Sequence, residues 1–401
     1  MSKKRVIVAG EIFSSNLGDY AIFDSLSSIL ISKDIEVIPL DISFRKEFIP
    51  KNNVENSEVS LNKGSWKNLL PKKIKHTQFI QYFITRLMWY LSIKPRSHQY
   101  WEELIISSDG VIIGGGQLIT DNNSFFSQKI YQIVKLAQKH DKPFTILGCG
   151  VGENIGIQAK KTYKKIFNKA VYISLRDIES ANKVRSFVDK EISINVNPDL
   201  AFALNIEKTK EKLCTKKIIC GFNIMPLSFF KSFDASLKDM DEAKYLGFWK
   251  KLAEGAINAG MQVVIMTNGN LQDYQQAKVV YQMLRENGIE ATLFDRAQRP
   301  STLYEQIRKV DCLVAMRMHS GIIAKAFGKQ VAVLVWDQKI PDVWNVFGSQ
   351  EIISDSSIFK NDQAWLEIEK KFHASRNLSK CDSEVKIKVI ESVDQCLKYM
   401  I

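Results

Sequence analysis

The chain has 401 residues, 45% hydrophobic and 25% charged, with a formal net charge of +12 at pH 7. That length exceeds one ordinary core and fits two domains, and the balance excludes disordered and fibrous classes. The positive charge favours anionic partners such as phosphate substrates, a membrane surface or nucleic acid.

The N-terminus reads MSKKRVIVAG, a short basic start followed at once by a strand-like apolar run. It lacks the apolar core and cleavage site of a signal peptide. No stretch reaches the ~18 uncharged apolar residues of a membrane span. Six cysteines are scattered without a C-x-x-C pair. They read as reduced, buried thiols, and the expected location is the cytoplasm.

Short β-branched runs then recur along the chain. The first series comprises Arg5–Gly10, Glu36–Asp41, Gly110–Gly116, Phe144–Gly150, Val171–Asp177 and Ile192–Asp199. The second comprises Lys217–Ile224, Met261–Gly269, Glu290–Asp295, Asp311–His319 and Gln330–Asp337. Segments of helical period separate most of them: Tyr20–Lys33, Phe125–His140, Leu246–Gly260, Leu271–Asn287 and Ser301–Lys309. Apolar strands alternating with helices predict parallel sheets covered on both faces. Two such series predict an α/β chain of two Rossmann-like, doubly wound domains facing a cleft. The expected boundaries are 1–205 for the first domain and 217–360 for the second. The Lys- and Glu-rich stretch Asn205–Lys217 serves as linker. A helical segment, 361–401, is expected to pack back across the first domain.

One insertion, at about 45–100, breaks the alternation. Lys63–Arg96 holds eight Lys or Arg and no acid, interleaved with Trp66, Phe79, Tyr82, Phe83, Trp89 and Tyr90. A basic, aromatic, amphipathic element of this kind lies in a membrane interface. The competing reading is a core helix with basic flanks.

In open parallel sheets, ligands bind beyond the carboxyl ends of the strands. In DCLVAMRMHSGIIAKAFGK, Arg317 and His319 stand where a strand gives way to a helix, with Ser320 read as its N-cap. Amide groups at a helix start attract anions, an arginine fork recognises phosphate or carboxylate, and a histidine moves protons near neutral pH. Arg176 ends the strand of YISLRDIES. Asn16, Gly18 and Asp19 form a tight turn after the first strand, and Asn268 ends another. The turn is neither a dinucleotide fingerprint nor a Walker loop. Gly115, Gly116 and Gln117 lie in IIGGGQL, where glycines let a backbone approach a ligand. No cluster has metal-ligand spacing, so no metal is expected.

Together NLGDYAI, DGVIIGGGQL, LGCGVG, SLRDIES, NPDLAFAL and RMHSGIIAKAFGKQVAVLVWDQK resemble the polysaccharide pyruvyl transferase family, in the family's order over roughly residues 5–340. The resemblance implies a pair of domains like those of B-type glycosyltransferases. It implies transfer of the carboxyvinyl carbons of phosphoenolpyruvate onto two sugar hydroxyls, making a cyclic ketal and releasing phosphate. It places donor binding on Arg176, Arg317 and His319. His319 is the candidate general acid, and Asp19 a candidate base. Asn16, Gly115, Gly116, Gln117, Asn268 and Ser320 complete the expected binding set. No cofactor is implied beyond the donor substrate itself. One departure is Trp336, where relatives often carry tyrosine. The expected acceptor is a sugar, as a polyprenyl-diphosphate-linked oligosaccharide at the inner membrane face. That would give the basic insertion a peripheral membrane role.

Two other readings stay open. A B-type glycosyltransferase using a nucleotide sugar would want a late carboxylate for the ribose, and Asp337 and Asp342 are available. A binding protein for anionic polymer suits the net charge. The aromatics and lysines match no nucleic-acid motif, so nucleic acid is not an expected partner.

Overall fold

The computed structural model describes residues 3–48, 94–121, 126–204, 217–233, 235–337, 339–345, 353–377 and 379–401. Two six-stranded parallel sheets organise the chain. The first holds β1 (Arg5–Gly10), β2 (Glu36–Asp41), β3 (Gly110–Gly114), β4 (Phe144–Cys149), β5 (Tyr172–Leu175) and β6 (Asn195–Val196), in the order β2-β1-β3-β4-β5-β6. The second holds β7 (Ile219–Asn223), β8 (Gln262–Met266), β9 (Thr292–Leu293), β10 (Cys312–Ala315), β11 (Gln330–Leu334) and β12 (Ile353–Ser354), in the order β12-β11-β10-β7-β8-β9. Strand order therefore reverses between β1 and β3 and again between β7 and β10. These are the switch points where such folds bind ligands.

The central strands are apolar throughout because helices cover both faces. Around the first sheet run α1 (Tyr20–Ser32), α2 (Lys94–Ile106), α3 (Phe126–Lys139), α4 (Ile157–Phe167) and α5 (Ile178–Arg185). Around the second run α6 (Leu227–Phe233), α7 (Glu242–Asn258), α8 (Leu271–Glu286), α9 (Pro300–Lys309), α10 (Met318–Ala326), α11 (Lys339–Asn345) and α12 (Ala364–Asn377). Pairing register alternates the side chains between two cores. Ile7, Ala9, Val111 and Ile113 face α2, α3 and α4. Val6, Val8, Ile112 and Leu147 face the opposite way, into a core continuous with that of the second domain.

The last helix, α13 (Ser379–Met400), returns to the first sheet. Cys396 Sγ meets Thr145 Oγ1 at 3.1 Å, Gln395 meets the Tyr172 hydroxyl at 3.2 Å, and Lys33 pairs with Asp394 at 2.5 Å. Helix α12 stays with the second sheet, where Ser375 receives bonds from Lys325 and Val331. The segment 361–401 thus divides between the two domains. The four described free cysteines, Cys149, Cys220, Cys312 and Cys396, are buried.

Several elements differ from expectation. The strand expected over Ile192–Asp199 shrinks to two residues, and Asp199 beyond it turns its side chain to accept from Ala201 N–H. That expected over Glu290–Asp295 also shrinks to two, at the sheet edge. Ser320 does not cap α10. Arg317 takes the N-cap position, and the buried Ser320 hydroxyl donates to Asn268 Oδ1. The insertion around Lys63 and the linker after Asn205 fall outside the described residues.

Candidate functional site

The loops after β1, β3, β5, β8, β10 and β11 converge on one cavity of about 300 Å³ between the domains. Glu11, Asn16, Asp19, Gly115, Gly116, Gln117 and Arg176 line it from the first domain. Asn268, Arg317, His319, Trp336 and Lys339 line it from the second. Ser320 is not among the lining residues.

The β1 loop is drawn onto the second domain by its backbone. Leu17 N–H donates to the Asn268 carbonyl at 3.1 Å, and Asn268 Nδ2 donates to Asn16 Oδ1 at 3.3 Å. Gly18 allows this approach, since a Cβ there would lie 2.7 Å from both Asn268 Nδ2 and His319 Cβ. Asp19 stands at the N-cap of α1, yet its carboxylate does not cap. Oδ2 accepts from Asn16 at 3.0 Å and Oδ1 sits 2.9 Å from His319 Nδ1.

His319 is 6% exposed. Its Nε2 lies 3.7 Å from Asp199 Oδ2, too long for a hydrogen bond, and has no hydrogen-bond partner. Burial works to lower the imidazole pKa, but Asp19 and Asp199 together raise it to about 9. The ring is therefore an imidazolium at neutral pH. Asp199 is wholly buried. Burial would raise its pKa, while His319 and Arg176 hold it down to about 2.

Arg176, 2% exposed, shares the same carboxylate oxygen through Nη1 at 3.1 Å. Its Nε is buried without a hydrogen-bond partner, 3.8 Å from Asp177 Oδ2. The guanidinium lies flat over Gly150, where a Cβ would come within 2.5 Å of Nε. Beside it, burial pushes the Cys149 thiol up to about 12, so this cysteine is no nucleophile.

Arg317 is gripped from behind. Nε and Nη2 donate to the two oxygens of buried Asp273 at 2.8 and 2.7 Å, and Phe229 stacks 5.1 Å from the guanidinium. Its backbone N–H donates to Asn223 at the end of β7, which fixes the β10–α10 junction. The amides that open α10 carry no side-chain cap. Across the cavity, Lys339 Nζ reaches Gln117 Oε1 at 3.3 Å and sits 5.1 Å above the Trp336 ring. Gly115 and Gly116 turn with φ of +79° and +67°, and Ile22 fills the space a Cβ at Gly115 would need.

Arg176, Arg317, His319 and Asp19 therefore share one cavity. Sequence reasoning assigned no role to Asp199, Asp273, Glu11 or Lys339. Asp199 looks like a turn former in NPDL, and Asp273 like any first-turn helix acid. Only the fold shows which cation each one faces.

A model of polysaccharide pyruvyl transferases matches residues 16–338. The chain belongs to the polysaccharide pyruvyl transferase family. Comparison with curated proteins returns no match. Among solved structures, the transferase resembles UDP-GlcNAc 2-epimerase from Methanocaldococcus jannaschii, at TM-score 0.52 and 11% identity over 92% of each chain. It resembles MnaA of S. aureus, in a co-structure with UDP, at 0.54 and 13% over 99% of this chain and 96% of that one. It also resembles a trehalose-6-phosphate synthase, at 0.55 and 9% over 99% and 98%. At such identities the likeness shows a shared fold alone. The pyruvyl transferase fold is thus the two-domain, glycosyltransferase-B-like one.

Proposed function

We propose that this pyruvyl transferase takes phosphoenolpyruvate as donor and forms a cyclic pyruvate ketal on two hydroxyls of a sugar. One observation carries the reading. Two buried N–H donors without partners, Arg176 Nε and His319 Nε2, belong to residues that line one cavity with Arg317. A buried unpaired donor is costly unless a ligand satisfies it. Three cationic groups together suit a small ligand bearing both phosphate and carboxylate.

The chemistry follows from the charge of His319. Its Nε2 proton passes to the methylene carbon of the donor, which becomes a methyl group. The adjacent carbon becomes an oxocarbenium centre, a sugar hydroxyl attacks it, and the hydroxyl's proton returns to the deprotonated His319 Nε2. Phosphate then leaves with its electron pair, Arg176 and Arg317 stabilise it, and the second hydroxyl closes the ring. Its proton leaves with phosphate. Asp19, which accepts from Asn16 through Oδ2 and meets His319 Nδ1 through Oδ1, orients the imidazole.

The test is mass spectrometry of a lipid-linked oligosaccharide pool incubated with protein and phosphoenolpyruvate. A gain of one ketal-linked pyruvate is expected. Melting curves with phosphoenolpyruvate and with UDP form a second arm. Stabilisation by UDP alone would favour a nucleotide-sugar glycosyltransferase. Among the described residues no helix is long and apolar enough to cross a membrane. Under the same reading, Lys63–Arg96 brings the enzyme to its lipid-linked acceptor. Acidic replacement of Lys63, Lys67, Lys72, Lys73 and Lys75 should then abolish sedimentation with anionic vesicles, and unchanged sedimentation removes the idea.

A further inference from the structure

We propose that Asp199 is the positioning residue of this anion site. One buried carboxylate oxygen sets Arg176 and His319 together, near enough to keep the imidazole charged and too far to take its proton. The role rests on the pyruvyl-transfer reading, while the placement rests on geometry alone.

Oδ1 of Asp199 accepts from Ala201 N–H at 3.1 Å and so caps the short 3₁₀ helix Leu200–Ala203. That helix is fully buried between the domains. The Leu200 carbonyl accepts from Ser25 of α1, and Phe202 packs edge-on to Trp344 of α11 at 5.3 Å. The carboxylate therefore has one orientation. Its other oxygen, Oδ2, meets Arg176 Nη1 at 3.1 Å and His319 Nε2 at 3.7 Å.

The two distances divide the work. At 3.1 Å the arginine is hydrogen-bonded and held by one end, leaving Nε without a hydrogen-bond partner. At 3.7 Å the imidazolium gains Coulomb attraction without forming a hydrogen bond, since that distance is beyond hydrogen-bond reach. The Nδ1 proton is committed to Asp19 at 2.9 Å. Nε2 is left as the nitrogen that can give its proton away. The charged groups on this ring are Asp19 from the β1 loop and Asp199, while Glu11, Arg176, Arg317 and Lys339 line the same cavity. Without Asp199 the balance tips against a charged ring, in line with the raised His319 value and depressed Asp199 value.

Asp199→Asn tests this, because an amide has one acceptor oxygen and cannot serve Ala201 and the two cations at once. His319 is followed by NMR titration of histidine-labelled protein, assigned with His319→Gln. In the native protein it should titrate near 9. In Asp199→Asn it should fall by at least about one pH unit, the scale of losing an opposite charge at this range. Asp355→Asn is the control, since Asp355 caps the 3₁₀ helix Ser356–Lys360 through Ser357 N–H and does not line the cavity. It should leave His319 unmoved. In kinetics, Asp199→Asn should raise the donor KM and move the alkaline limb of kcat downward by the same amount. A native His319 titrating near its ordinary value, or one unmoved in Asp199→Asn, overturns the proposal even if that variant loses stability. If His319 moves as expected and no acceptor is pyruvylated, Asp199 keeps its placement and the reaction reading falls instead.

Discussion

A buried imidazole keeps its proton only when nearby negative charge outweighs the cost of leaving water. His319 meets that condition because Asp19 and Asp199, more than a hundred residues apart in the chain, close on its two nitrogens. The sequence marked His319 as a proton mover but not what sets its charge. The answer lay in carboxylates that no local pattern links to it. The stability consequence has a definite sign. A folded pKa near 9, above the ordinary 6.5, contributes stability fully present below about pH 6.5 and lost as pH rises through 9. The melting temperature of the native protein should therefore fall between pH 6.5 and 9, and that of His319→Gln should fall less. Parallel curves from differential scanning fluorimetry would refute the assignment. Catalytically, the same replacement removes the acid and should cost on the order of 10²–10⁴ in rate.

Strand ends, rather than strand interiors, carry the chemistry. The apolar runs of β1, β3, β4, β7, β8, β10 and β11 were legible because burial on both faces demands unbroken hydrophobic residues. The edge strands β6 and β9 were expected too long, and β12 not at all, since two-residue pairings at the sheet edges follow no period. The β4 end shows how an element's last residues shape a site. Gly150 follows Cys149 and presents no side chain to the Arg176 guanidinium lying over it. Gly150→Ala would place a methyl group 2.5 Å from Nε and 2.7 Å from Cζ. The arginine must swing away or lose its bond to Asp199. We expect the donor KM to rise about tenfold, the scale of one charge-assisted hydrogen bond, with kcat less affected. Steady-state kinetics checks this, and an unchanged KM would show that Arg176 does not hold the donor. Gly115, with its positive φ and Ile22 behind it, makes the equivalent demand on the β3 side.

The chain crosses between its domains twice, and that fixes the cleft. It leaves the first domain after the 3₁₀ helix Leu200–Ala203 and comes back as α13. One face of the first sheet, the second domain and α13 share a continuous apolar core, including Val389, Val393, Cys396 and Met400. The return was legible only as architecture, because α13 covers β4 and β5 from outside their own helix series. No described residue of α13 lines the cavity. It holds β4, whose end carries Gly150, through Cys396 and Thr145, and β5, whose end carries Arg176, through Gln395 and Tyr172. Met400 packs on Gly110 at the start of β3, where a Cβ would lie 2.7 Å from its Cγ. Ending the chain after residue 378 would expose that sheet face to water, at roughly 25 cal/mol per Å² of apolar surface. We expect a lower melting temperature and loss of pyruvyl transfer, although every cavity residue remains. Adding α13 back as a separate peptide should restore part of both, because its contacts are non-covalent. A truncated protein with native melting and native turnover would show that the cleft is set by the second domain and linker alone.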